Sequence, residues 1–246
     1  MANRFENFQE KRMVIFGELV KRYWNGNLND RSDLNRLAEE IREKYEFLEE
    51  DLPFVRDHIR VAMGLDPRTG EEFHDEINLV KNSREIRLPV IAKIEGRCEN
   101  CENEKTCMDS CKYDAHVYNR TSGPVIVDGK CLSCGNCVTS CDFGALADKI
   151  EFIPVIDLLK DAKKPVYAAV APAITGQLGE EVTMGQLRTA FKLMGFTDMI
   201  EVAMFADILT IKEAYEFNHL VKKTDDFFLT SCCCPVWFNM TKKNYH

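Results

Sequence analysis

The sequence predicts a mixed protein, α+β and α/β, laid out in three consecutive zones. Three observations carry this. Apolar residues recur at helical spacing through about the first 90 residues, and no cysteine precedes Cys98. Eight cysteines then fall between Cys98 and Cys141, in a segment whose extended runs are short. Beyond residue 151, strand-like runs alternate with helical ones, the pattern of a parallel sheet covered by helices. The zones are therefore expected at 1–90, 91–150 and 151–246. A chain of 246 residues, 45% hydrophobic and 29% charged, is ordinary for a globular protein and excludes disorder and collagen-like repeats. No run approaches the roughly 18 apolar residues of a membrane span, so no membrane insertion is expected. The N-terminal MANRFENFQEKR lacks an apolar export core, which points to a reducing cytoplasm. A net charge of −8 argues against a nucleic-acid partner held by phosphate neutralisation.

In the first zone Phe5, Phe8, Phe16, Leu19 and Tyr23 follow helical spacing, and Asn25, Gly26 and Asn27 break it. Asp33, an N-cap residue type, is expected to open a second helix through Leu34, Leu37, Ile41 and Tyr45. A third follows Asp51 and Pro53 along Val55, Ile59 and Met63, and stops at Gly64, Asp66, Pro67 and Gly70. The intervening charges read as solvated faces, and the zone as a helical accessory unit. A docking surface for a redox partner is the sharper alternative, but no residue selects it.

The first cysteine run, Cys98, Cys101, Cys107 and Cys111, is spaced C-x2-C-x5-C-x3-C. The second, Cys131, Cys134, Cys137 and Cys141, is spaced C-x2-C-x2-C-x3-C. The total of eleven cysteines is odd and cannot pair fully within one chain. In a reducing compartment such clusters bind metal. An iron–sulfur cubane needs four thiolates around a compact body, and a C-x2-C-x2-C turn wraps three irons. Two zinc sites would also use four thiolates each, although zinc knuckles pair two separated C-x2-C elements.

The second spacing resembles that of the bacterial two-cluster ferredoxins. The resemblance implies two 4Fe-4S clusters, one held by Cys98, Cys101, Cys107 and Cys141, the other by Cys131, Cys134, Cys137 and Cys111. Residues 115–118 and 124–128 then read as the short strands of such a domain. The chain departs from the pattern where Lys112 and Asp142 replace the usual proline, and in the longer x5 spacer. Both changes bear on the exposure of the sulfurs and on their hydrogen bonds. His116 reads as a packed or surface residue, since eight thiolates already fill both clusters.

The third zone is expected to run helix 154–163, strand 165–171, helix 183–194, strand 199–203, helix 207–221 and strand 227–230. It carries Ala171-Pro172-Ala173-Ile174, Leu178 to Glu181, Leu193 to Phe196, Phe205 to Ile211, Glu213 to Phe217, and Thr230-Ser231-Cys232-Cys233-Cys234-Pro235-Val236-Trp237. Following a two-cluster segment, these resemble the iron-only (FeFe) hydrogenases over about 95–246. The resemblance implies interconversion of protons and electrons with dihydrogen at an H-cluster, a 4Fe-4S cubane joined to a two-iron unit. It makes Cys234 a cubane ligand, Cys233 the proton donor, and Glu213 and Glu216 the continuation of the proton path. Their i, i+3 spacing places both on one helix face. The triplet has one cysteine more than the common motif, so Cys232 is the alternative relay residue, and Thr175 stands where many members have arginine. The family's second and third cysteine motifs do not occur before His246, so three of four H-cluster ligands are missing and the catalytic domain is expected to be truncated. The plainer alternatives are small buried residues for the triplet and an exposed helix face for the glutamates. Met199, Met204, Phe205, Phe217, Phe227 and Phe228 read as core.

These readings converge on an iron–sulfur oxidoreductase of the hydrogenase type, incomplete and inactive alone. The H-cluster is expected only if the missing part is supplied. The expected partners are a ferredoxin or other electron carrier and a remaining hydrogenase segment. The alternatives are an electron carrier or redox sensor without hydrogenase activity, or a cluster-handling relative.

Overall fold

The computed structural model describes residues 8–83, 88–98, 106–119, 123–226 and 234–244. It mixes helices with small sheets, as the sequence predicts. Two compact units are present: Met1–Ile156 with Val236–His246, and Asp157–Pro235.

In the first unit α1 (Phe8–Trp24), α2 (Arg31–Lys44) and α3 (Leu52–Ala62) form on the anticipated apolar stripes. The start of α2 differs. Asp30, not Asp33, is the cap, its Oδ1 accepting the N–H groups of Ser32 (2.8 Å) and Asp33 (3.1 Å). Asp33 falls in the first turn, accepts the Asn29 N–H at 2.9 Å and pairs with Arg36 at 2.6 Å. Pro53 sits in the first turn of α3, where a missing N–H costs nothing.

The charges of α3 are not a solvated face. Asp57, His58 and Arg60 are buried. Arg60 reaches Asp57 Oδ1 (3.0 Å), Glu76 Oε1 (3.2 Å) and the Glu71 carbonyl (2.6 Å), and its guanidinium lies over the Phe73 ring. Asp57 also accepts the N–H groups of Arg68 and Gly70, both at 3.0 Å. This closed network folds residues 64–76 back onto α3. It also starts α4 (Glu76–Asn82), a helix with no strong sequence signal.

Two antiparallel ribbons follow. β1 (Ile91–Lys93) pairs with β4 (Leu146–Asp148), and β2 (His116–Asn119) with β3 (Gly123–Ile126). Between them lie the single-turn helices α5 (Thr106–Asp109) and α6 (Asn136–Thr139). The β1–β4 ribbon is a shared wall. Ala92 and Ala147, cross-strand partners, join the core of the helices, whereas Ile91 and Leu146 pack with the cysteines. The helical core extends on to Phe152, Ile153 and Ile156 at the start of α7 (Ile153–Lys160).

The second unit is a β-α-β element. β5 (Tyr167–Val170) and β6 (Asp198–Glu201) pair in parallel, joined through α8 (Met184–Leu193). Thr183 and Gln186 cap α8 reciprocally, at 3.2 and 2.8 Å. Its core is Ala168, Val170, Leu187 and Met199. α9 (Val202–Leu220) begins directly after β6, earlier than the expected 207, because the apolar run from Val202 continues as helix rather than strand. Met199 is core as expected, but Met204, Phe205 and Phe217 are exposed, since no described element covers α9. Phe227, Phe228 and the strand expected at 227–230 lie outside the described residues. α10 (Pro235–Asn244) follows Cys234. Among the described residues no helix is long and apolar enough to cross a membrane.

Candidate metal centre

The second cysteine run lies on a loop that bends sharply twice. Ser133 (φ 59°) and Gly135 (φ 82°) both take the left-handed conformation, and α6 begins at the next residue. Such curling is what a chain needs to wrap a compact body. The Ser133 N–H donates to Cys131 Sγ at 3.4 Å, and Ser133 Oγ accepts the Val90 N–H at 3.1 Å. Cys137 is buried, Cys111 and Cys131 half-buried, and Cys134 exposed.

These sulfurs act on one another. Burial pushes the Cys137 thiol up to about 12, reinforced by Cys131, Cys134, Cys111 and Cys107. Burial also raises Cys131. The Ser133 hydrogen bond opposes this, Cys134 and Cys111 add to it, and Lys243 opposes it. Thiols crowded this way cannot all ionise beside one another unless a cation takes the charge. The donor set therefore fits a thiolate-bound metal group.

In the first run, Cys107 lies on α5 and Cys111 just beyond it. Cys107, Cys131, Cys137 and Cys141 pack together with Ile91, Val138 and Leu146. Cys98 is half-buried, and Cys101 lies outside the described residues. Among the described residues no three His, Cys, Asp or Glu side chains close around a single metal-ion position. His116 is buried, and burial lowers its pKa.

Of the residues assigned to hydrogen chemistry, Glu213 and Glu216 lie on α9 and are half-buried in a helix otherwise exposed. Lys212 pairs with Glu216 at 3.6 Å. Cys234 is exposed directly before α10, while Cys232 and Cys233 lie outside the described residues. A cavity of about 730 Å³ beside Arg60, Arg68 and Glu76 is lined by no cysteine. Two residues of the cysteine centre escape any motif. Lys243 Nζ donates to the Cys131 carbonyl at 2.9 Å across 112 residues of sequence, and Arg12 pairs with Asp148 on the strand that follows Cys141. No spacing signal marks either.

Residues 164–246, about a third of the chain, match the family described as iron only hydrogenase large subunit, C-terminal domain. The chain is 31% identical over 107 residues to an uncharacterized ferredoxin of Methanocaldococcus jannaschii, covering 43% of this chain and 70% of that protein. It belongs to that ferredoxin's family. It is also 26% identical over 160 residues to the NADP-reducing hydrogenase subunit HndD of Solidesulfovibrio fructosivorans, covering 57% of this chain and 27% of the subunit. With iron hydrogenase 1 of Clostridium pasteurianum the identity is 27% over 108 residues, covering 41% and 19%. The chain thus spans about a quarter and a fifth of these two hydrogenases.

Proposed function

We propose that this chain is a cytoplasmic iron–sulfur electron-transfer protein of the iron-only hydrogenase type. It holds two 4Fe-4S clusters, one on Cys98, Cys101, Cys107 and Cys141 and one on Cys111, Cys131, Cys134 and Cys137. The observation that carries this is the doubly bent loop that carries Cys131, Cys134 and Cys137, with Cys107 and Cys141 packed into the same cluster of side chains. Each cluster supplies a one-electron couple when bound. The protein supplies the thiolates, the Ser133 N–H that offsets charge on the Cys131 sulfur, and the apolar wall of Ile91, Val138 and Leu146. Residues 1–90 serve as a helical accessory region, 91–150 as the cluster domain, and 151–246 as the hydrogenase-like portion. There Cys234 is a ligand for a third cubane, and Cys233, Glu213 and Glu216 form a proton path.

Anaerobic purification followed by iron and acid-labile sulfide counts tests the reading. About eight of each per chain is the expected result. Stoichiometric zinc without brown iron–sulfur absorption would refute it. Cys137→Ala should halve the iron. These 246 residues carry one of the four cysteines assigned to the H-cluster. The chain given a synthetic diiron precursor and reduced viologen is therefore expected to release no dihydrogen by itself.

The ferredoxin match over 70% of that relative favours a second reading, an electron carrier without hydrogen chemistry. Reversible electron exchange with a partner carrier, unchanged by Glu213→Gln or Glu216→Gln, would support it.

A further inference from the structure

Both ends of one proposed ligand set are held by the N-terminal helices. On the Cys141 side, contacts arrive from α1, α3 and the loop after α3. The Phe8 N–H donates to the Asp142 carbonyl at 3.0 Å. The Phe8 ring fills the space beside Gly144, where an added Cβ would lie 2.2 Å from Cδ1. His58 Nε2 donates to the Gly144 carbonyl at 2.8 Å. Arg12 pairs with Asp148, and Lys149 with Asp66 at 2.5 Å. On the Cys98 side, Arg97 pairs with Asp51 and stacks over Phe54 at 4.7 Å. The loop of Cys131 and Cys134 is instead held by Lys243 of α10 and by Val90.

The Arg12 side chain is 19% exposed, and its Nε is buried with no hydrogen-bond partner. Arg12 lies on α1 one turn after Phe8, whose N–H holds the carbonyl of the residue next to Cys141, and it is paired with Asp148. Reduction adds one negative charge to a cluster, and a fixed cation in a poorly solvated site favours that charge. We propose that α1 to α3 form a positioning collar for the cluster on Cys98, Cys107 and Cys141, with Arg12 setting the electrostatic field at that cluster and not at its neighbour. This rests on the ligand assignment above and gives the first ninety residues a task. Arg12 acts as a positioning residue, not as a ligand. Because the collar grips residues 142–149 and Arg97, filling that cluster also stabilises the helices.

Redox titration followed by electron paramagnetic resonance tests the proposal on the full chain, with Cys98→Ala and Cys111→Ala assigning the two signals. Arg12→Met should lower the reduced-to-oxidised ratio of the Cys98 cluster about tenfold at fixed potential, a drop of about 59 mV for a one-electron couple. It should leave the Cys111 cluster in place, and Arg12→Lys should restore the wild-type value. Unmoved potentials, or equal shifts in both clusters, overturn the proposal. Hydrogen exchange on the wild-type chain, before and after loading with iron and sulfide, decides the matter even if Arg12→Met does not fold. Protection should rise in α1 and α3 as well as in the cysteine segment, and a rise confined to the cysteine segment overturns the collar. A wild-type chain that holds no iron–sulfur signal would sink the ligand assignment and the collar together. Full iron with an unmoved potential in Arg12→Met sinks only the collar.

Discussion

The two compact units hold their chains by different means. In the first, α1 to α4, β1, β4 and the start of α7 share one continuous core, sealed by a buried ion network. In the second, four apolar residues are buried among the described residues, and the 19 residues of α9 include none. An apolar pattern tells that a helix is made to be covered, not what covers it. The first unit carries its own cover, because loops rich in charge are stitched down by Arg60. The apolar surface of α9 has no such cover among the described residues. Stability should therefore reside mainly in the first unit, and each unit should respond to its own substitutions.

The largest test is Arg60→Met, which leaves Asp57 buried without its cation and Glu76 with the partly exposed Arg68 alone, at 3.3 Å. The expected loss is about 3–5 kcal/mol. Trp24 and Trp237, the two tryptophans, both belong to the first unit, so their fluorescence should report the shifted urea midpoint. Hydrogen exchange in α8 should stay unchanged, and a matching change there would erase the contrast. Gly144→Ala comes next. Gly144 is left-handed (φ 70°) and pressed against Phe8, so about 1–3 kcal/mol should be lost. The double variant with Phe8→Ala should cost measurably less than the sum of the single ones, whereas strict additivity would deny the contact.

His58 sharpens the comparison through pH. Burial holds it down to about 3, against 6.5 for the unfolded chain. Between these values the unfolded state binds the extra proton, so acid favours unfolding. The His58 contribution is whole above about pH 6.5 and falls by about 1.4 kcal/mol per unit as pH drops toward 3. Urea midpoints of wild type and His58→Gln, compared across pH 4 to 7, should diverge with that slope, and parallel curves would rule it out. The smallest expected effect is in the second unit. Thr183→Ala removes the α8 cap for about 1 kcal/mol. It should speed exchange in α8 and leave the tryptophan transition where it was.

Much of the fold could be read from the chain because periodicity is local. Leu34, Leu37 and Ile41 mark α2, and the helical run expected at 183–194 becomes α8. The cysteine spacing was legible for the same reason, since a wrapping loop is written in consecutive residues. What stayed hidden depends on distant pairs. Arg60, Asp57 and Glu76 look like surface charges until the loop between them closes. β1 and β4 have three residues each, too short for a strand signal, and pair across more than fifty positions. Asp33 was the wrong cap by one turn, because Asp30 carries the same chemistry three residues earlier. Lys243 reaches the Cys131 carbonyl and Arg12 reaches Asp148 across more than a hundred positions of sequence, and no motif encodes that.

The alanine pair in the β1–β4 wall bears on how such a segment can be inherited. Ala92 and Ala147 let the helices approach the ribbon closely on one side, while its other side receives the cysteines. A cassette of residues 91–150 moved into a new host would arrive with that alanine face and Ile94 bare. Recombination can carry the eight cysteines intact only by carrying the bundle too, or by repainting the wall with polar residues. The cysteine segment and the helices before it are one packing unit, joined through that wall.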